Sequence, residues 1–245
     1  MKYFLILILI YSAIQAQEKK QKITIGAGSF IQTQPYTNVD DILLPSPVIF
    51  FDNGIAYVRW SRAGIYFFGD KQEDYAWGFS LTVQPRVYGY TSSDIDGMDE
   101  RKNTWEGGLA FSAKTDEAYI EVMLLTDMLD RYESWILKTE LGYDFKFNNF
   151  SLYPSLILIY QSSDFLDYYY GVKKSEELGT RKEYIPSDGF QIGAQTYINY
   201  PFTNNFSALI NLRVDKLSKE ATSSPIVDQD YIYSGLLSLI YTFEY

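Results

Sequence analysis

Charged side chains recur at alternate positions through the hydrophobic stretches of this chain, and that spacing limits what they can do. Arg86, Glu106, Glu121, Lys138, Glu140, Asp144, Lys146, Arg213 and Asp215 all fall in such stretches. In an extended strand successive side chains point to opposite faces, so charges spaced by two share one face and leave the other apolar. A face of this kind suits a water-filled path for ions, or a salt-bridged network that fills the same space. Both signs occur on neighbouring segments, which favours the network, because a selective pore more often carries a ring of one sign. Outside these stretches, the acid pairs Asp94 with Asp96 and Asp228 with Asp230 could in principle serve acid–base chemistry or hold a divalent cation through oxygen. Neither has the spacing of an EF-hand, and both read as solvated loop acids.

Cysteine and histidine are both absent. Serine–histidine and cysteine–histidine nucleophile pairs therefore cannot be built, nor can zinc sites with those ligands, nor disulfides. The chain reads as non-enzymatic, with no cofactor and no metal site. Its formal charge of −10, from 21 basic and 31 acidic residues, argues against nucleic acid, whose binding needs a basic surface.

The elements that must carry the charges are strands. From Trp135, WILKTELGYDFKF places Trp135, Leu137, Thr139, Leu141, Tyr143, Phe145 and Phe147 on one face, against Lys138, Glu140, Asp144 and Lys146 on the other. The same period of two runs from Trp77, through 118–128, from Phe190 and from Phe206. Soluble strands are usually about five or six residues long. These run to about ten, the length a tilted strand needs to cross a bilayer. Tyrosine (23) and phenylalanine (16) are abundant, as aromatic girdles at the two membrane interfaces require, and Trp60, Trp77, Trp105 and Trp135 stand near expected strand ends, where they read as part of such belts.

The connections decide between a soluble sandwich and a barrel. Long ones occupy 33–44, 91–103, 163–187 and 217–230, and short ones lie near 52–54, 69–74, 115–116, 148–149 and 201–205. Strands starting near Ile23, Pro45, Gly54, Arg62, Tyr75, Thr104, Glu117, Glu133, Phe150, Asp188, Asn205 and Tyr231 put every long connection at one end. The prediction is an all-β, antiparallel transmembrane β-barrel of about twelve strands, with ten as the alternative, both termini lying on the short-turn side. Lipid supplies no hydrogen-bond partner, so the sheet must close. A split of 54–69 into two strands around Ser61 keeps the count even. The N-terminus, MKYFLILILIYSAIQAQ, has an early lysine, an apolar run too short to span a membrane and a small residue at Ala16. This predicts a cleaved signal peptide at 1–16, a short periplasmic leader at 17–22 and a barrel domain at 23–245. The expected location is the bacterial outer membrane, with its lipid and lipopolysaccharide as surroundings. The last segment, YIYSGLLSLIYTFEY, alternates and ends on an aromatic residue, as the assembly signal of such barrels does.

The stretch YYYGVKKSEELGTRKEY, 168–184, does not alternate. Within it Tyr169, Tyr170, Gly171 and Val172, followed by Glu176, Tyr184, Pro186 and Gly189, resemble the long-loop signature of the MipA/OmpV family of outer-membrane proteins. Ser224, Pro225, Ile226 and Val227 resemble that family's second signature. The resemblance covers roughly 23–245. Two positions depart from it: Glu177 follows Glu176 where the family often has alanine, and Ser223 precedes Ser224 where it has aspartate. The resemblance implies a non-enzymatic envelope scaffold that contacts a lytic transglycosylase and a murein synthase. A small-solute or ion channel is the alternative reading of the same barrel. The signature loop itself reads as a folded-in plug or lid, in which Lys173, Lys174, Glu176, Glu177 and Arg181 pair with one another or with lumen charges.

Overall fold

The protein is described by a computed structural model covering residues 22–72 and 74–244. The expected signal peptide, the leader before Lys22 and the terminal Tyr245 lie outside the described residues.

The strands are β1 (Lys22–Gln32), β2 (Ile42–Asp52), β3 (Ala56–Arg59), β4 (Arg62–Lys71), β5 (Tyr75–Arg86), β6 (Thr104–Thr115) and β7 (Ala118–Asp127). They continue with β8 (Trp135–Tyr143), β9 (Phe145–Lys146), β10 (Ser151–Gln161), β11 (Gly189–Pro201), β12 (Phe206–Lys216) and β13 (Tyr231–Glu244). Each pairs antiparallel with its neighbours, and β1 closes the ring on β13 from Lys22 opposite Glu244 to Gln32 opposite Ser234. Segments β8 and β9 both pair with β10 and form one wall strand interrupted at Asp144, so the closed barrel has twelve strands. Pro154 of β10 stands opposite this break and has no N–H with which to bridge it.

The alternation runs inside out for a soluble protein. Leu109, Leu124, Leu137, Leu141, Leu237 and Leu239 are exposed on the outer face, whereas Glu106, Glu121, Glu140, Asn211 and Asp215 are buried on the inner one. Such a continuous apolar exterior is stable only against lipid. Gly26 and Gly28 permit the tight closure at the seam: a Cβ on either would lie 2.2 Å from a carbonyl oxygen of β13.

Strand order, the split at Ser61 and the segregation of long connections to one end agree with the expectation. Four details differ. β2 starts at Ile42 rather than near Pro45, because the apolar run before the prolines already pairs with β1. The third strand has only four residues. Residues 163–187 are not a structureless loop: α1 (Ser163–Tyr170) and a single 3-10 turn (Lys174–Glu176) lie there. A further helical turn, α2 (Lys219–Thr222), lies in the last long connection.

Candidate functional site

The inward charges form separate clusters within the barrel. Arg86 pairs with Glu106, which also accepts from Gln84 (2.8 Å) and Tyr132 (3.1 Å). Glu121 is held by Arg59 (2.9 Å) and Arg62 (2.5 Å), and Arg59 reaches on to Asp52 (3.3 Å). Lys138 lies 3.3 Å from Glu140, whose carboxylate also accepts from Tyr119 (2.6 Å), Ser155 (3.1 Å) and Gln195 (2.8 Å). Arg213 chelates Asp215 at 2.6 and 2.7 Å, and Gln191 donates to the same carboxylate at 3.0 Å. Buried charges are tolerable only when paired and hydrogen-bonded, and these carboxylates meet both conditions. Asp144 and Lys146 stand apart from the clusters: they pair at 3.4 Å near the short-turn end, with the lysine side chain exposed. Arg59 and Arg62 escaped the sequence reading because they flank the turn at Trp60-Ser61, where alternation breaks and gives no face.

The long connections fold inward over one mouth. Helix α1 is capped by Ser162, whose side chain accepts from the Phe165 N–H, and it ends where the Gly171 N–H donates to the Asp167 carbonyl (2.9 Å). Phe165, Leu166, Tyr169 and Tyr170 form its buried face, the i, i+1, i+4, i+5 pattern of a helix. That pattern was available in the sequence but was hidden by the strand period around it. The tyrosines pack against Tyr36, Tyr88 and Tyr132 from three other connections, with ring centroids 5.2 to 6.2 Å apart, and the Tyr88 and Tyr170 hydroxyls hydrogen-bond.

The two signature segments meet in this core. The Ser224 hydroxyl donates to the carbonyl of Tyr170 at 2.5 Å, and Ile226 accepts from the Thr37 N–H at 3.0 Å. Val227 bridges to Tyr36, and Val172 bridges to Tyr184. The Tyr184 hydroxyl donates to the carbonyl of Glu220 (2.7 Å). Gly171 and Pro186 are buried and Pro225 is exposed. Glu176 is buried, accepts from the backbone N–H of Asp99 (3.0 Å) and Lys173 (2.8 Å), and pairs with Arg101 at 3.1 Å. Arg181 donates to the carbonyls of Glu176 (3.0 Å) and Asp96 (2.7 Å), clamping the loop onto residues 87–103. Burial pushes the phenols of Tyr36, Tyr88, Tyr90, Tyr169 and Tyr170 above the ordinary tyrosine value, and the Lys173 ammonium beside Asp99 lowers its carboxyl.

Below this packed layer lies a cavity of about 3210 Å³, bounded at the far end by the turn residues Asn53, Gly54, Gln72 and Asp116. Trp60 departs from the expected interfacial belt. Its positive φ of 55° turns the chain, and its indole lies on the lumen side, donating to Ser46 (2.9 Å) and packing edge-on against Phe30 and Tyr197. Trp105 and Trp135 are exposed on the outer face. Among the described residues no cluster of acids could hold a metal ion.

The family profile described as MltA-interacting protein MipA matches residues 25–243. The chain is 25% identical to the MltA-interacting protein of Escherichia coli (strain K12), over 97% of this chain and 96% of the relative. It is 23% identical to the putative outer membrane protein YiaT of the same organism, over 93% and 94% of the two chains. With outer membrane protein OmpV of Vibrio cholerae the identity is 26%, over 66% and 63%. Among solved structures, the translocator domain of the autotransporter NalP from Neisseria meningitidis is similar at 11% identity and a TM-score of 0.42, covering 99% of this chain and 94% of that one.

Proposed function

This chain belongs to the MltA-interacting protein MipA family of outer-membrane β-barrel proteins, and from that premise we propose that it is a non-enzymatic barrel that anchors a murein-remodelling enzyme at the outer membrane. A lytic transglycosylase, with a murein synthase beside it, is the partner class. The observation that carries this reading is the packed outer mouth. Loops from four connections share one aromatic core around Tyr36, Tyr88, Tyr132 and Tyr170, which disfavours a passive pore and leaves the periplasmic end as the accessible one.

That end offers limited surface. A stable interface buries about 800 Å² per partner, more than tight turns supply. The β4–β5 hairpin adds to it: bonding to the β3 side ends with the Tyr66 N–H on the Ile55 carbonyl (2.8 Å), and β4 and β5 continue as a pair to Lys71 opposite Ala76, beyond the Asp52 to Ile55 turn. The basic leader before Lys22 is the other contribution we assign to the contact. Crosslinking in intact cells, followed by identification of the captured protein, tests the anchor; a transglycosylase joined at the β4–β5 turn is the expected result. Capture undiminished after deletion of residues 17–22 would remove the leader's share, and absence of any periplasmic adduct would overturn the anchor itself.

The cavity beneath the plug supports a second reading, a gated channel whose gate is the loop core. Single-channel recording separates the two. A silent bilayer at neutral pH fits the anchor, and steady ion conductance would favour transport.

A further inference from the structure

The barrel wall has a framed gap on its outer half. β2 pairs with β3 only through residues 50–52, so 42–48 have a partner on the β1 side alone. β4 pairs with β5 only as far as Ala63 opposite Val83, which leaves residues 84–86 of β5 bonded to β6 alone. The Trp60-Ser61 turn, with the Trp60 N–H on the Ile49 carbonyl (2.8 Å), forms the sill. Above, the segment after β5 crosses to β1, where Gln32 and Gln34 donate to the carbonyls of Val87 (3.0 Å) and Gly89 (2.8 Å). Sill, two strand edges and this crossing enclose the opening on all sides.

The rim is poor in free backbone donors. The Trp60 to Ile49 bond, and that of the Asn53 N–H to the Ala56 carbonyl (3.2 Å), show that odd-numbered residues of β2 direct their backbone groups away from β1. Pro45 and Pro47 stand on that side, where any other residue would aim an unpaired N–H into lipid. On β5 the odd residues likewise face β4, and the one above Val83 is Pro85. Unpaired donors in hydrocarbon cost several kcal/mol each, and proline removes them outright. Proline at three of the gap-facing positions, Pro45 and Pro47 on one edge and Pro85 on the other, leaves Leu43 as the one β2 residue there that keeps its N–H, and marks the gap as a built opening. All three prolines also line the same void as the inward-facing Phe30, Ser46 and Trp60. Just inside, Phe30, Leu44 and Trp60 present apolar surface, with Ser46 and Gln84 as the polar groups beside them.

We propose that this gap is a lateral port that admits an apolar chain or ring from the outer leaflet to a binding site against Phe30, Leu44 and Trp60. The outer mouth is plugged, so the bilayer is the route from outside that the fold leaves. The ligand is recognised by hydrophobic contact, and either a free apolar molecule or the acyl chain of a membrane lipid supplies it. The port stands whether or not a periplasmic enzyme docks.

The experiment uses the full mature chain in vesicles and two photoreactive probes: a long-chain alcohol bearing a diazirine, and a phospholipid with the diazirine in its acyl chain. Peptide mass spectrometry reads the labelled positions. The expected result is adducts on inward-facing Trp60, Phe30 or Ser46, in addition to outward Leu237 and Leu239. Adducts from the alcohol alone identify a free molecule as the ligand, and adducts from the phospholipid as well identify a lipid chain. The absence of native cysteine allows the port to be bridged in a Ser46→Cys, Gln84→Cys variant with a bismaleimide. Bridging should abolish the inward adducts and leave those on Leu237 and Leu239 as the measure of an intact barrel. Labelling confined to outward positions in the native chain would overturn the port, and so would inward labelling that persists unchanged after bridging.

Discussion

At the scale of single residues, the plug depends on a few buried groups whose loss has distinct signatures. Tyr169 and Tyr170 are fully buried, and replacing an aromatic core residue by alanine removes about 3 to 5 kcal/mol through lost burial and the cavity left behind. A Tyr169→Ala, Tyr170→Ala variant is expected to keep its barrel while residues 173–182 become sensitive to trypsin and conductance appears. Resistance and silence equal to the native protein would reject the plug. Glu176 and Arg101 present a different case, because both are buried and each is the other's charge partner. Glu176→Gln strands the guanidinium in an apolar layer, a change that costs about 3 to 5 kcal/mol when one member of a buried pair is removed. Local hydrogen exchange in residues 96–101 and 173–182 should rise sharply. The exposed Lys173 to Asp99 pair, by contrast, should be nearly silent when removed.

At the scale of elements, irregularities carry the information. β3 is short because the chain turns at Trp60, and the early turn leaves both β2 and β5 without a partner above it, which creates the wall gap. Pro45 and Pro47 were legible as residues but not as edge protection, since their meaning depends on which neighbour strand is missing. Restoring the donor with Pro47→Thr aims an unpaired N–H into the gap and is expected to lower the stability of the barrel, seen as a lower temperature for loss of its folded gel mobility. A variant with native stability would show that the edge needs no such protection. Helix α1 teaches a related lesson about period. Phe165, Leu166, Tyr169 and Tyr170 repeat at helical spacing inside a chain whose dominant period is two. Eight residues capped by Ser162 are stable here only because their apolar face lands on other loops, as short helices draw their stability from tertiary packing.

At the scale of the whole molecule, the barrel and its plug respond differently to solution conditions. The plug phenols of Tyr36, Tyr88, Tyr90, Tyr169 and Tyr170 are pushed above the ordinary value near 10 by burial, so folding favours their neutral form. Their contribution is complete below that ordinary value and is lost as pH rises towards the raised ones. Alkaline titration should therefore open the mouth cooperatively, with tyrosinate absorbance and conductance rising together, while circular dichroism still reports the strands. Ionisation at the ordinary value, without change in conductance, would contradict a packed aromatic plug. The division between what the sequence determined by itself and what it did not follows the range of the forces involved. Strand number, the inside-out alternation, the even count secured at Ser61 and the sidedness of the loops were readable from Trp135 to Phe147 and its repeats, because side-chain period and connection length are local properties. The pairing of Arg59 and Arg62 with Glu121, the bond from Ser224 to Tyr170 across 54 residues, the inward turn of Trp60 and the gap beside Pro47 were decided only by the tertiary structure. Each depends on barrel register and closure, which bring distant residues together at positions that no local pattern specifies.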